Sequence, residues 1–223
     1  GQRPLVTGEH AIASPVDGTV SQLGKIEGQR IFQAKGQSFN LTELLGGDEE
    51  WARPFENGEF ATIYLAPRDY HRIHMPIAGQ LREMVYVPGR LFSVNPVTAA
   101  AVPRLFARNE RVVATFDTEA GLMAMVLVGA MIVGSVETRW AGVVAPNPGR
   151  REVSKTDYRH LATGIRYDRG EEMGRFRLGS TVILLFPKGV SRWQATLATR
   201  SRVSMGEHLG DITSAPPETA APR

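Results

Sequence analysis

The stretch MGRFRLGSTVILLF, from Met173 to Phe186, decides the fold. Its second half is an uninterrupted run of branched and aromatic residues, which predicts a buried strand. Gly179 and Ser180 stand at the mouth of that strand. Because glycine lacks a Cβ and tolerates strained backbone conformations, the Ser180 hydroxyl can reach the carbonyl immediately before it. The stretch therefore predicts a junction at which the chain cleaves itself, between residues 179 and 180.

Length, charge and cysteine content limit the classes of protein to which the chain can belong. The chain has 223 residues, enough to bury a core in one domain, and a formal net charge of +3 that comes from arginines spread along its length. This mild excess is compatible with phospholipid headgroups, with nucleic acid or with solubility alone. Cysteine is absent, which excludes disulfides, thiolate metal sites and a cysteine nucleophile.

The longest apolar stretch runs from Gly121 to Val136 and is shorter than the roughly 20 residues that a membrane-spanning helix needs. Three glycines interrupt it, which favours two adjacent buried strands. The chain begins at Gly1 without an initiator methionine or a signal pattern, so we expect that an upstream, membrane-associating segment is missing.

Short alternating runs separated by turn residues predict a mainly β fold, a sandwich-like or barrel-like single domain with a few short helices. We expect a hairpin over 20–36, helices over 41–51 and 98–106, and a surface excursion over 145–175. The domain is predicted to comprise a lead-in over 1–11, a catalytic domain over 12–205 and a flexible tail over 206–223.

Four motifs carry the functional signal: SPVDG at 14–18, YHRIHMP at 70–76, LFSVNP at 91–96 and LGST at 178–181. Alone, LGST is most often a structural turn. Together, in this order and spacing, the four resemble the phosphatidylserine decarboxylase proenzyme family from about Ile12 to about Val190.

The resemblance implies a specific chemistry. Ser180 attacks the Gly179 carbonyl, the resulting ester eliminates, and residue 180 becomes a pyruvoyl group, the only cofactor, which then serves to decarboxylate phosphatidylserine to phosphatidylethanolamine. It also implies a phospholipid substrate at the inner, cytoplasmic membrane, a peripheral location, and two cleavage fragments that form a heterodimer and further homo-oligomers. Nucleic acid is not an expected partner.

The resemblance assigns three further catalytic residues. His74 is the general base for Ser180 and Asp17 orients it, since a serine hydroxyl needs an adjacent base. The competing interpretations are an Asx turn for Asp17 and a satisfied core position for His74. His71 is assigned near the pyruvoyl group, for substrate carboxylate handling or proton donation.

Other interpretations remain open from the residues themselves. The HRIH spacing lacks an HExxH pattern or cysteine partners, which argues against a metal site. Arg72 and Arg90 are candidates for the substrate phosphate, whereas Ser93 and Asn95 are assigned a structural role. The alternative functions are a pyruvoyl decarboxylase of a soluble amino acid, a biotinyl-like carrier, for which the lysines lack the Met-Lys context, and a serine hydrolase, for which the GxSxG elbow is absent.

Overall fold

Strands dominate the computed structural model of the chain, which describes residues 3–34, 36–130, 135–147, 149, 151–177 and 179–213. The strands are β1 (Ala11–Ala13), β2 (Gly18–Lys25), β3 (Arg30–Ala34), β4 (Gln37–Asn40), β5 (Glu59–Leu65), β6 (Arg72–His74), β7 (Gly79–Val87), β8 (Arg111–Thr118), β9 (Gly121–Val128), β10 (Val136–Thr138), β11 (Gly142–Ala145), β12 (Ser154–Asp157), β13 (Arg166–Tyr167), β14 (Glu172–Phe176), β15 (Ser180–Phe186), β16 (Ser191–Trp193), β17 (Arg202–Val203) and β18 (His208–Ile212). The helices are α1 (Leu41–Leu45), α2 (Glu49–Ala52), α3 (Pro96–Ala101) and α4 (Leu105–Arg108), with a 3₁₀ turn at Arg53–Phe55.

The main sheet places β15 at its centre. Its strand order is β12-β7-β8-β9-β15-β5-β2-β17, with β13 also paired to β7, and its pairs are antiparallel. All seven residues of β15 are buried, as the apolar run predicts. β15 pairs along its length with β5 on one side and β9 on the other, so Ser180 begins the most enclosed strand of the molecule.

Two hydrophobic cores lie on opposite faces of this sheet, because successive strand residues point to opposite sides. Val182 and Leu184 of β15 face a core shared with the smaller sheets. Ile183 and Leu185 face a second core, which the helices and the β3–β4 hairpin cover. A strand covered on both faces has no polar side, which explains why the sequence of β15 shows no alternation.

Two smaller sheets cover the first core. One has the order β11-β10-β14-β6 and the other the order β1-β18-β16. On the opposite face, α1 begins at an Asn40 cap, whose side chain accepts a hydrogen bond from the Glu43 amide, and ends at Gly46 in a left-handed conformation (φ 114°). The start of this helix agrees with the sequence prediction, whereas its end at Gly46 falls short of the predicted end at residue 51.

Three local predictions are wrong. The strands β2 and β3 do not form the expected hairpin, because β3 pairs with β4 while β2 pairs with β5 and β17. The single helix predicted over 41–51 is two helices, because α1 ends at Gly46 and α2 begins at Glu49. The described residues over 145–175 are mostly exposed, as expected, and they include three strands, of which β12 and β13 extend the main sheet and β14 joins a smaller one.

The third correction concerns the tail. Residues 206–213 belong to the domain, since β18 lies between β1 and β16 and buries Leu209 and Ile212. β18 has the sequence HLGDI, which shows neither an apolar run nor an alternation that would predict a strand in the polar tail. Residues 214–223 lie outside the described part of the chain, as do residues 131–134 of the second strand expected within 121–136.

The fold class is confirmed as a mainly β single domain with short helices. Its sheets pack face to face, and over the described residues the main sheet stays open between β12 and β17. In that same part of the chain, no helix has the length and apolar character needed to cross a membrane.

Candidate active site

Ser180 lies at one end of the main sheet, where it pairs with Leu65 at the end of β5. β14, which precedes it in the chain, belongs to the smaller four-stranded sheet and ends at Phe176. β6, which carries His74, pairs with β14. The topology therefore brings the YHRIHMP segment, the predicted cleavage junction and the start of β15 together.

Gly179 has a left-handed backbone (φ 47°), a conformation that residues with a Cβ adopt only at a cost. Its amide donates a hydrogen bond of 2.7 Å to Nε2 of His71. Nδ1 of His71 contacts the carbonyl oxygen of Asp69 at 2.6 Å. Since a carbonyl only accepts, Nδ1 carries the proton and Nε2 is the acceptor. This histidine therefore holds the residue before Ser180.

The Ser180 hydroxyl is buried, with the residue 1% exposed, and it has no hydrogen-bond partner in the described part of the structure. A buried hydroxyl without a partner is costly, and such groups in native structures have a functional or structural reason. A hydroxyl that bonds to nothing retains both its proton and its lone pairs for a reaction.

His74 pairs with Glu172 of β14, and its ring makes its contacts away from Ser180. Its Nδ1 contacts the Gly170 carbonyl at 2.8 Å, and its Nε2 contacts the Tyr70 hydroxyl at 3.0 Å. The carbonyl again fixes the proton on Nδ1, so Tyr70 donates to Nε2. Both ring nitrogens are therefore occupied, and neither contact is with Ser180 or Asp17.

Asp17 is bound by two groups. Arg3 donates two hydrogen bonds to its carboxylate, at 3.0 and 2.7 Å, and the amide of Met205 donates a third at 2.8 Å. Burial raises the pKa of Asp17, but the hydrogen bonds from Arg3 and Met205 outweigh it, and the pKa lies below its ordinary value. The carboxylate is therefore ionised at neutral pH.

The turn that contains Asp17 nevertheless lies against the histidine strand. The amide of His74 donates to the carbonyl of Pro15 at 2.9 Å. The Arg3 guanidinium lies over the Tyr70 ring, 4.3 Å from its centroid. Asp17 thus reaches His74 through two intermediate side chains, Arg3 and Tyr70, instead of by a direct hydrogen bond.

Sequence reasoning missed Asp69 as a site residue. Its side chain is 4% exposed and pairs with Arg202 at 2.9 Å, and its other oxygen accepts the Ala66 amide at 2.8 Å. Its position directly after β5 and two residues before His71, with a turn-forming residue type, is a signal that could have identified it.

The remaining candidates from the sequence are two loop residues, Asn95 and Ser93, and two arginines, Arg72 and Arg90. Asn95 is the N-cap of α3, accepting from the Thr98 amide, which agrees with its predicted structural role. Ser93 accepts from the Asn95 amide at 3.5 Å within the same loop. Arg72 is paired with Glu172 at 2.6 Å, so a substrate phosphate would have to compete for it. Arg90 has no side-chain ion pair among the described residues.

A glycine in the left-handed region, a buried serine without a partner and a histidine on the glycine amide suit one class of protein, a proenzyme that processes its own chain at a Gly–Ser bond. The comparisons with known proteins agree with this class. Residues 1–211 match the family model for phosphatidylserine decarboxylase.

Curated relatives carry the same name. The phosphatidylserine decarboxylase proenzyme of Marinobacter nauticus is 63% identical over 212 residues, which are 95% of this chain and 73% of that protein. Those of Stutzerimonas stutzeri (61% identical, 98% of this chain and 74% of that protein) and Bordetella petrii (62% identical, 93% and 72%) are similar. The chain belongs to the phosphatidylserine decarboxylase family, which confirms the resemblance seen in the four motifs.

Proposed function

We propose that this chain is a phosphatidylserine decarboxylase that cleaves itself between Gly179 and Ser180 and then converts phosphatidylserine to phosphatidylethanolamine. One observation carries the proposal: the unpartnered, buried Ser180 hydroxyl follows a left-handed glycine that His71 holds by its amide. The names of the relatives supply the substrate. Because these relatives share one name at 61–63% identity, the soluble amino-acid decarboxylase and the serine hydrolase lose support.

The maturation uses the chain's own atoms. The Ser180 oxygen attacks the Gly179 carbonyl carbon, the Ser180 nitrogen leaves that carbon and takes a proton, and an ester results. Loss of the Ser180 α-proton then expels the Gly179 carboxylate, and water replaces the nitrogen as ammonia. The products are a fragment ending at Gly179 and a fragment that begins with a pyruvoyl group.

His74 is the proposed base for the Ser180 hydroxyl, and Asp17 its orienter. For this role, Nε2 of His74 has to exchange the Tyr70 hydroxyl for that of Ser180. The contacts support an indirect action of Asp17, which holds Arg3 against the Tyr70 ring and so sets the hydroxyl that His74 must release.

The residues present fit a pyruvoyl group at position 180, because the precursor side chain is enclosed and has no competing hydrogen bond. When formed, that group supplies an electron-accepting carbonyl for the loss of carbon dioxide. The cut leaves the Gly179 amide intact, and Nε2 of His71 becomes available when the new chain end at Gly179 moves away from it. His71 can then hold or move a proton beside residue 180, as its assigned role requires.

The two fragments stay joined in this proposal. β15, from the fragment that begins at residue 180, lies between β9 and β5 of the other fragment. β18 of the same fragment pairs with β1. The heterodimer thus shares one continuous sheet, and separating it would expose both cores. The expected homo-oligomer stays a prediction.

The membrane is the proposed location of the substrate, and the structure offers a surface for it. The loop that contains LFSVNP is at the Ser180 end of the sheet, since Phe92 bonds to Asn109, just before β8. Val97 there is 78% exposed and Leu91 is 36% exposed. Apolar side chains beside cationic groups are suited to an anionic bilayer.

Two arginines supply the charge at this surface. Arg90 precedes Leu91, and Arg200 lines a cavity of about 160 Å³ together with Pro96 and Ala99 of α3. Neither side chain has an ion pair within the described residues. We propose that the enzyme is peripheral and docks with this face.

The test distinguishes the loss of the Ser180 hydroxyl from a loss of folding. Purified Ser180→Ala should be a folded single chain with no decarboxylase activity on phosphatidylserine. Ser191→Ala is the matched control, because Ser191 is another buried serine without a hydrogen-bond partner in the described structure and lies in the same fragment. It should cleave and turn over normally. Activity in Ser180→Ala, or cleavage of that variant at the parent rate, would overturn the proposal.

A further inference from the structure

Asp69 is a buried carboxylate that the proposed chemistry does not use. Burial raises its pKa, but hydrogen bonds from Arg202 and from the Ala66 amide outweigh this effect, and its pKa lies below the ordinary value. Arg68 also acts on it electrostatically, and Tyr64 and Asp17 are the other titratable groups that interact with it. Enclosing an ionised carboxylate costs free energy unless it is paired, so its place near a reactive junction points to a role there.

The turn that Asp69 builds leads directly to the cleavage junction. Its carboxylate accepts the Ala66 amide at 2.8 Å and its own amide donates to the Ala66 carbonyl at 2.9 Å, which closes a turn immediately after β5. Its carbonyl then accepts from Nδ1 of His71, and Nε2 of His71 accepts the Gly179 amide. A single path of hydrogen bonds thus runs from the Asp69 turn to the residue that is cut.

Arg202 fixes the carboxylate from the other side. It donates to both Asp69 oxygens, at 2.9 and 3.4 Å, and it is held in place because β17 pairs with β2 and because it also donates to Thr19 at 3.3 Å. Arg202 follows the cleavage junction in sequence, whereas Asp69 precedes it. After cleavage the pair therefore joins the two fragments.

We propose that Asp69 and Arg202 are positioning residues that fix the orientation and the tautomer of His71 at the Gly179–Ser180 junction, before and after the cut. This inference rests on the proposed self-cleavage. The pair acts through the Asp69 turn, which presents its carbonyl to Nδ1 and so keeps Nε2 unprotonated toward Gly179. Neither residue touches the reacting atoms.

The expected effect on rate follows from geometry. A displacement of about 1 Å in a reactive arrangement costs up to about a hundredfold in rate. Asp69→Asn keeps the size and one acceptor but loses the charge that Arg202 holds, and Arg202→Gln leaves the carboxylate without its cation. We expect cleavage to slow by about tenfold to a hundredfold in each. The double variant should be no slower than the worse single variant, since the two act as one unit.

The first experiment follows cleavage of the full chain by denaturing gel after cell-free synthesis. Asp117→Asn and Arg82→Gln are the controls, because they remove a salt bridge of 3.1 Å at the opposite end of the main sheet. The controls should cleave at the parent rate, and Arg202→Lys should recover part of the rate lost in Arg202→Gln. Parent-rate cleavage in both Asp69→Asn and Arg202→Gln would overturn the proposal, and so would rates that multiply in the double variant.

The second experiment reads the histidine directly and excludes a mere loss of stability. In the uncleavable Ser180→Ala chain, ¹⁵N spectra of the His71 ring at alkaline pH should show a proton on Nδ1 and none on Nε2. Adding Asp69→Asn should give a mixture of the two tautomers, while the His74 ring keeps its Nδ1 proton on Gly170. An unchanged His71 tautomer would contradict the positioning role.

The two failures can be told apart. If the parent chain is never cleaved, the proposed function fails, yet the tautomer of His71 is still measurable in the same chain. If the parent is cleaved and Asp69→Asn changes neither the rate nor the tautomer, only the positioning role fails.

Discussion

The left-handed conformation of Gly179 makes a quantitative prediction for Gly179→Ala. A Cβ built on Gly179 would meet only Cγ of Pro67, at 3.9 Å, which is ordinary van der Waals contact. The substitution therefore causes no steric clash in the uncleaved chain. Its cost is the backbone conformation (φ 47°), which amounts to about 1–2 kcal/mol for a residue with a Cβ.

This cost appears in the cleavage rate if the left-handed conformation is the reactive one. The alanine variant leaves that conformation and must return to it before Ser180 can attack. At 1.36 kcal/mol per tenfold, about 1–2 kcal/mol corresponds to a rate roughly 5- to 30-fold lower. The assay is the time course of fragment appearance after synthesis of the full chain.

Gly142→Ala is the matched control, since Gly142 is also left-handed (φ 66°) and has nothing within 4 Å of a built Cβ. It should lower the free energy of unfolding by a similar amount and leave the cleavage rate unchanged. Cleavage of Gly179→Ala at the parent rate would refute the reasoning that the left-handed backbone is part of the reactive geometry.

Three further predictions concern the surface, the core and the pH dependence. Val97→Asp should weaken sedimentation with phosphatidylserine-containing vesicles by about tenfold, because a valine buried in a bilayer contributes about 1.5 kcal/mol, while activity on monomeric short-chain phosphatidylserine stays unchanged. Val143→Asp, on the smaller four-stranded sheet, should change neither vesicle binding nor activity. An equal loss of vesicle binding in both variants would contradict the docking face. Arg111 is buried, burial lowers its pKa to about 10, and its guanidinium donates to three backbone carbonyls. Arg111→Leu should therefore lower the free energy of unfolding by roughly 3 kcal/mol or more. An unchanged urea midpoint would show that these hydrogen bonds contribute nothing. The pKa of Asp17 lies below its ordinary value in the folded chain, so its stabilisation is complete above the unfolded pKa of about 4 and is lost as the pH falls through the folded pKa. In the uncleavable Ser180→Ala chain, adding Asp17→Asn should make the urea midpoint decrease less between pH 5 and pH 3. An equal decrease with and without Asp17→Asn would show that Asp17 does not contribute to the pH dependence.

The sequence predicts elements whose signal is local. The apolar run of β15, the start of the helix predicted over 41–51 and the first of the two strands predicted within 121–136 appear close to their predicted places. Each depends on residues adjacent in the chain, such as a cap, a turn glycine or a run of branched side chains.

Pairing between distant segments was not predictable in this way. β2 and β3 each have the pattern of a hairpin strand, yet β2 pairs with β5, the strand next to β15. β18 has no regular apolar pattern and pairs with β1, almost two hundred residues away. Nothing in either short segment specifies its partner, because the partner is selected by the shared core.

The candidate site shows the same division. The motifs predict Ser180, Gly179 and both histidines as site residues, and the structure brings His71 into contact with Gly179, directly before Ser180. They did not indicate which histidine holds Gly179, because a spacing of three residues is compatible with either orientation. Three of the four side-chain partners of His71 and His74 are backbone groups, and the identity of a residue does not show where its backbone groups point.

The central claim is tested most directly by the intact mass of the purified chain under denaturing conditions. The account predicts two species: residues 1–179, and residues 180–223 lighter by one ammonia than simple hydrolysis would give. A single unbroken chain would contradict self-cleavage. A fragment of residues 180–223 at the full hydrolysis mass would show that the bond is cut without forming a pyruvoyl group, and the decarboxylase mechanism would have to be abandoned.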